Sequence, residues 1–248
     1  MSTTQQPGVF DIAGPVKIAF GSTNYGPLWM PAATTWLRSI AYTQRYLVQQ
    51  GLGEVAAVGI TDRMYTHASG NALIRDFLAD ESFTHLALTE SDMLLPDAWM
   101  LRLLALKKPI ASGVYFLRAG NGQPCLFVRA LSIPGDCYGM TPVSVFPTEQ
   151  PFPLRGCPGL GCLLIEREVF TKIAYPWFDL AEGKFGSDLY FFTNALKAGV
   201  ETWVDPRVRC AQIEYKVWSY TDYVQRLESD PTFGSQGYVL GMPLEVPA

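Results

Sequence analysis

Three short apolar runs, VKIAF at 16–20, EVAAVGI at 54–60 and THLALT at 84–89, alternate with two stretches of helical spacing. The first helical stretch, 32–50, places Trp36, Leu37, Ile40, Tyr46 and Leu47 on one side, and Gly51 stops it. The second, 70–80, does the same with Leu73, Ile74, Phe77 and Leu78. Strand, helix, strand, helix, strand is the pattern of an α/β chain whose mainly parallel, Rossmann-type sheet is flanked by helices. Ligands of such sheets bind outside the carboxyl ends of the strands. All three runs end in polar clusters: STNYG, TDR and ESD.

The third cluster is the most demanding. Glu90-Ser91-Asp92 closes a buried strand with two acids one residue apart. On an extended chain residues 90 and 92 point the same way. Two like charges so placed repel unless they face water or share a cation. Hard divalent ions take one or two such carboxylates, with phosphate oxygens completing the shell. Capping of the following helix by Ser and Asp is the plainer alternative.

Downstream, Pro96 and Asp97 open a third helix that carries Trp99, Leu101, Leu103, Leu104 and Leu106 to Pro109, and PIASGVYF reads as a fourth strand. Residues 119–155 are rich in Gly and Pro and read as short antiparallel strands and loops. GLGCLLIEREVFTKI is a strand feeding a short helix. SDLYFFTNALKAG is a helix capped by Ser187, with Asp188 in its first turn, and VETWVD is a further strand. The last thirty residues read as a wrapping tail.

At 248 residues, 48% apolar and 17% charged, the chain suits one α/β domain. Its parts are a first half at 16–118, a second half at 119–215 and the tail at 216–248, with residues 1–15 a loose arm. A net charge of −4 gives no global attraction to nucleic acid or anionic lipid. No apolar stretch is long enough to span a bilayer and the N-terminus lacks signal-peptide character, so a cytoplasmic protein is expected. Five irregularly spaced cysteines read as reduced thiols, and Cys157 with Cys162 falls short of the four ligands of structural zinc.

On these motifs the chain resembles a GT-A fold glycosyltransferase of the family-2-like type met in bacteria and viruses, over roughly residues 16–215. The resemblance implies a GT-A-like sheet with a small antiparallel, loop-rich acceptor region, and a metal-dependent, inverting transfer of sugar from a nucleotide-sugar donor, a UDP-sugar, to an acceptor hydroxyl. Glu90-Ser91-Asp92 stands at the family's D-x-D element. It implies Mn²⁺ or Mg²⁺ held by Asp92 with Glu90, and Gln212 in AQI where the family's late triplet carries His. Ser22, Asn24, Tyr25, Asp62, Asn71, Glu90 and Ser91 then line the donor, Asp188 is the catalytic base, and Trp177 is an acceptor platform. Each residue also has a plain structural role open to it: a turn for Asp62, a helix cap for Asn71, a dipole partner for Asp188, the core for Trp177. Because Asp188 opens a helix, its pKa is expected to lie low.

Two other classes remain in view. A catalytically silent nucleotide-sugar binder fits the Gln212 departure. A nucleotidyltransferase on a similar sheet fits less well, because FGSTNYGPLW has no basic residue, and the dinucleotide fingerprint G-x-G-x-x-G is absent. The acceptor, whether glycan, lipid, protein or hydroxymethylated DNA base, stays open; for the last, Arg118, Arg129, Arg155, Arg207 and Arg209 are the residues that could gather at the site.

Overall fold

The computed structural model describes residues 9–24, 26, 28–61, 64–118, 122–129, 140–180, 186–213, 217–230, 232–233 and 238–239, with backbone alone at 57, 58, 129, 140, 217, 218, 238 and 239. The first half runs β1 (Val16–Thr23), α1 (Met30–Gln49), β2 (Gly53–Ile60), α2 (Thr66–Ala79), β3 (His85–Glu90), β4 (Met93–Leu94), α3 (Trp99–Leu104) and β5 (Ile110–Val114). Short strands follow: β6 (Phe127–Arg129), β7 (Met140–Val145), β8 (Phe152–Pro153) and β9 (Gly156–Cys157). Then come β10 (Cys162–Glu166), α4 (Val169–Lys172), α5 (Ser187–Lys197), β11 (Thr202–Arg209), β12 (Ala211–Ile213), β13 (Val217–Trp218), α6 (Tyr220–Ser229) and β14 (Tyr238–Val239).

The main sheet has the order β2-β1-β3-β10-β5-β11-β8. β1 pairs in parallel with β2 and β3, and β5 in parallel with β11. β10 is antiparallel to both β3 and β5, and β8 is antiparallel to β11 at the edge. The sheet is therefore mostly parallel, as the alternating pattern requires, with one reversed strand wedged into its middle. Smaller sheets, β13-β12-β4 and β14-β7-β6-β9, stand beside it.

Central strands are buried on both faces, which is why they read as continuous apolar runs rather than as alternation. Successive side chains nevertheless part company. Ile18, Phe20, Ala87 and Leu164 pack with Trp36, Leu47 and Trp99 of α1 and α3. Ala19, Leu86, Leu88, Leu163 and Ile165 pack with Leu73, Phe77 and Phe191 of α2 and α5.

Three expectations are corrected. The third helix opens at Trp99 rather than Pro96: the Trp99 N–H donates to the Pro96 carbonyl at 3.2 Å in a preceding turn, and Asp97 pairs with Arg38 at 2.7 Å. Leu37 faces out, 69% exposed, because its neighbour Trp36 takes the core. The C-terminal stretch is not only a wrapping tail, since α6 packs its Tyr223 between Phe116 and Phe146, ring centroids 5.4 and 5.1 Å away. The Asp222 carboxylate opens that helix by accepting from the Ser219 N–H and hydroxyl, at 2.9 and 2.8 Å. Cys125, Cys157, Cys162 and Cys210 are buried free thiols, as expected. No helix among the described residues is long and apolar enough to cross a membrane.

Asn71 belongs to this framework. Its Nδ2 donates to the Phe178 carbonyl at 2.7 Å, and its Oδ1 accepts from the Trp177 and Phe178 N–H groups, both at 3.1 Å. Gly70 beside it leaves no room for a Cβ, which would lie 2.5 Å from the Phe178 ring. Asn71→Ala would strand buried backbone donors and an acceptor at a cost of about 1–3 kcal/mol or more in total. Urea unfolding is expected to show that loss; a change below about 0.5 kcal/mol, the surface-substitution range, would refute the tether.

Candidate functional site

The polar strand ends meet where β1 and β3 finish. Thr23 lies opposite Glu90 in the parallel register, and the Ser91 N–H donates to the Thr23 carbonyl at 3.2 Å. The chain does not stay extended there: β3 stops at Glu90, residues 91–92 turn, and β4 begins at Met93. Glu90 and Asp92 are therefore related by a turn rather than by strand alternation.

β12 then pairs antiparallel with β4, with Gln212 opposite Met93, and the Ile213 N–H donates to the Asp92 carbonyl at 2.8 Å. This brings Gln212 to Asp92. Its Nε2 donates to Asp92 Oδ2 at 3.2 Å, and the Arg118 guanidinium donates to the same oxygen. Arg118 sits just past β5, where the Leu117 N–H donates to the Gln123 carbonyl at 2.9 Å and fixes the chain's return. Asp92 is 3% exposed, and its Oδ1 is buried without a hydrogen-bond partner.

Two cavities, both lined by Thr66 and Glu90, open over these residues. One, of about 310 Å³, is lined by Thr23, Asn24, Thr66, Glu90, Ser91 and Arg118. The other, of about 260 Å³, has Glu90 and Thr66 again, with Tyr65, Tyr115, Leu180 and Asp188 around them. Tyr115 lies close beneath because Gly159 and Gly161 have no Cβ; one added at Gly159 would stand 1.9 Å from the tyrosine hydroxyl.

Burial sets the electrostatics. Desolvation, helped by the charges of Asp92 and Asp188 and opposed by Arg118, pushes the Glu90 carboxyl up to about 8. Asp92 is also raised by desolvation, against the pull of Arg118 and Gln212. Asp188 lies in the first turn of α5, whose cap is Gly186 rather than Ser187. Its Oδ1 accepts from the Leu189 N–H at 2.9 Å, and Cys157 Sγ donates to its Oδ2 at 3.7 Å. Desolvation outweighs those bonds and the helix end, so its pKa is raised, contrary to the expectation from the dipole alone.

The structure thus brings Asn24, Glu90, Ser91 and Asp188 to the cleft, with Asp92 and Gln212 at its edge beneath Arg118. Ser22 is fully buried, its hydroxyl donating to Asn24 Oδ1 at 3.3 Å. Tyr25 and Asp62 lie outside the described residues. Asn71 and Trp177 do not line the cleft: Asn71 is the tether, and Trp177 is 8% exposed with its indole N–H on the Phe170 carbonyl at 3.3 Å. Arg207 is held by Asp205 at 2.8 Å and Arg209 by Glu149 at 3.4 Å, and neither lines the two cavities. Sequence reading passed over Thr23, Tyr65, Thr66 and Tyr115; the first three flank strand ends on the ligand side, which is the signal that could have found them.

The metal expectation meets this geometry poorly. Among the described residues no three His, Cys, Asp or Glu side chains converge to hold an ion. One oxygen of Asp92 already takes two N–H donors, one of them from a cation, and Gln212 offers its amide nitrogen rather than its carbonyl. What is left is Asp92 Oδ1, which is buried, and the Glu90 carboxyl, which burial keeps protonated at neutral pH. As arranged, the residues do not fit a bound dication.

No family model matches the sequence, and no curated protein sequence does. Solved structures do. A197 from STIV aligns with a TM-score of 0.54 at 19% identity, covering 80% of this chain and 86% of that one. GalNAc-T7 with UDP, GalNAc and Mn²⁺ aligns with a TM-score of 0.53 at 13% identity, covering 87% of this chain and 48% of that one. This chain thus spans about half of the latter's length. At such identities the likeness is one of fold.

Glu90 gives a pH test. Its folded pKa of about 8 lies above the ordinary 4.5, so between those values the folded protein keeps a proton that the unfolded chain releases. Stability contributed by the protonated carboxyl is then lost as pH rises through that window. Glu90→Gln, neutral throughout, is expected to melt higher than the native protein above pH 8 and to converge with it below pH 4.5, in EDTA. Parallel melting curves across the range would refute the assignment.

Proposed function

We propose that the chain is a GT-A-type glycosyltransferase that moves a sugar from a nucleotide-sugar donor, a UDP-sugar, to an acceptor hydroxyl with inversion. The observation that carries this reading is the double cleft, with Arg118 at one end, Asp188 at the other and Glu90 between. Support also comes from the fold shared with a structure that holds UDP and GalNAc.

In this reading the nucleotide end of the donor lies along Thr23, Asn24 and Ser91, with the diphosphate toward Arg118. The acceptor enters beside Tyr65 and Leu180, which are 67% and 47% exposed at the mouth of the other chamber and take the platform role first assigned to Trp177. The acceptor oxygen attacks the anomeric carbon as the carbon–oxygen bond to phosphate breaks. The nucleoside diphosphate leaves with the bonding pair, and the hydroxyl proton passes to Asp188. Two features suit Asp188 to this. Burial makes it a stronger base than an exposed carboxylate, and Cys157 with the Leu189 N–H fixes its direction. Glu90, protonated at neutral pH and lining both cavities, can donate to a sugar or phosphate oxygen.

The test is transfer or hydrolysis of UDP-sugars, followed by mass spectrometry. Asp188→Asn is expected to lower kcat about a hundredfold or more while UDP affinity holds within about twofold. Since the base must be ionised and its pKa is raised, native activity should climb with pH through a range above that of ordinary aspartates. Surviving turnover in the Asn variant would remove Asp188 from the chemistry, and a product keeping the donor's anomeric configuration would exclude inversion.

A further inference from the structure

From the seat Arg118 takes on Asp92, we infer that this guanidinium is the built-in cation that holds the donor diphosphate, in place of a divalent ion. The inference rests on the nucleotide-sugar reading above and concerns the same cleft.

A metal in this position would have to join a buried carboxylate to phosphate oxygens. Arg118 already makes the first half of that link. Its Nη2 donates to Asp92 Oδ2, while 53% of its side chain stays exposed and lines the chamber with Thr23, Asn24 and Ser91. A guanidinium carries five N–H donors in a planar fork, so one edge can be spent on Asp92 while others meet two phosphate oxygens. Asp92 thereby becomes a positioning residue: buried and unable to move, it aims the fork. Gln212 shares that task by donating to the same oxygen from β12.

Competition reinforces the point. A dication brought to Asp92 would have to displace a charge-assisted hydrogen bond and would find one unpartnered oxygen there, Oδ1, and no group of three acids, His or Cys arranged to hold it among the described residues. A permanent side-chain cation needs no loading and cannot be removed by chelation.

The experiment is calorimetric titration of the full chain with UDP and, separately, with inorganic pyrophosphate, in EDTA and in Mn²⁺. The native protein is expected to bind both probes in EDTA, with Mn²⁺ changing affinity by less than about threefold. Arg118→Ala should weaken both by about tenfold or more, and Arg118→Lys should recover part, since an ammonium keeps the charge but not the fork. Because Arg118→Ala leaves a buried carboxylate without its counter-ion, the double variant Arg118→Ala/Asp92→Asn, neutral at both positions, controls for folding and should bind as weakly as the single one while melting normally. Native-like affinity in either variant overturns the inference. Binding that is absent in EDTA and appears with Mn²⁺ also overturns it and leaves the nucleotide-sugar reading standing. Failure of both probes under both conditions defeats the inference together with that reading.

Discussion

A carboxylate sealed from water must be answered by donors, and Asp92 is answered from two distant parts of the chain. Arg118 comes from the segment after β5, Gln212 from β12, and both converge on one oxygen. Removing either donor from a buried charge costs far more than the pair gains, which makes such a lock sensitive to its surroundings. It joins β4, the end of β5 and the start of the C-terminal region. The cleft wall, including Arg118, takes its place from that lock.

The same scarcity of water sets the chemistry. Glu90, Asp92 and Asp188 stand near one another at the ligand end of the sheet, and burial raises all three. Differences in partners separate them. Asp92 has a cation, Asp188 a thiol and a backbone N–H, and Glu90 lies between two acids. Three acids of similar intrinsic strength thereby acquire different duties, one orienting a cation, one able to accept a proton and one able to give a hydrogen bond.

Much of this was legible in the residues. Apolar runs of strand length with helical spacing between them dictate a layered sheet, because each element must bury one face and the pattern admits few arrangements. Polar clusters at the strand ends marked the ligand side and contain Asn24, Glu90 and Ser91, which line the cleft, whereas Asp188 was named only through the family resemblance. Misassignments came where a side chain's partner lies far away. Asn71 and Trp177 carry residue types common in binding sites, yet one ties α2 to the 177–178 backbone and the other fills the core. Nothing local distinguishes an amide that meets a ligand from one that meets backbone.

What the sequence determined by itself is the α/β alternation, the placement of polar residues at one end of the sheet and the acid pair that closes β3, since these follow from local spacing and side-chain chemistry. What only the tertiary structure decided is which charge meets which. Reversed β10 enters the middle of the sheet, β12 pairs with β4, and Arg118 falls on Asp92. Gln212 and Asp92, brought together in this way, lie 120 positions apart. The strength of an ionic group depends on how much water the fold leaves around it, and that is a property of the whole packed chain.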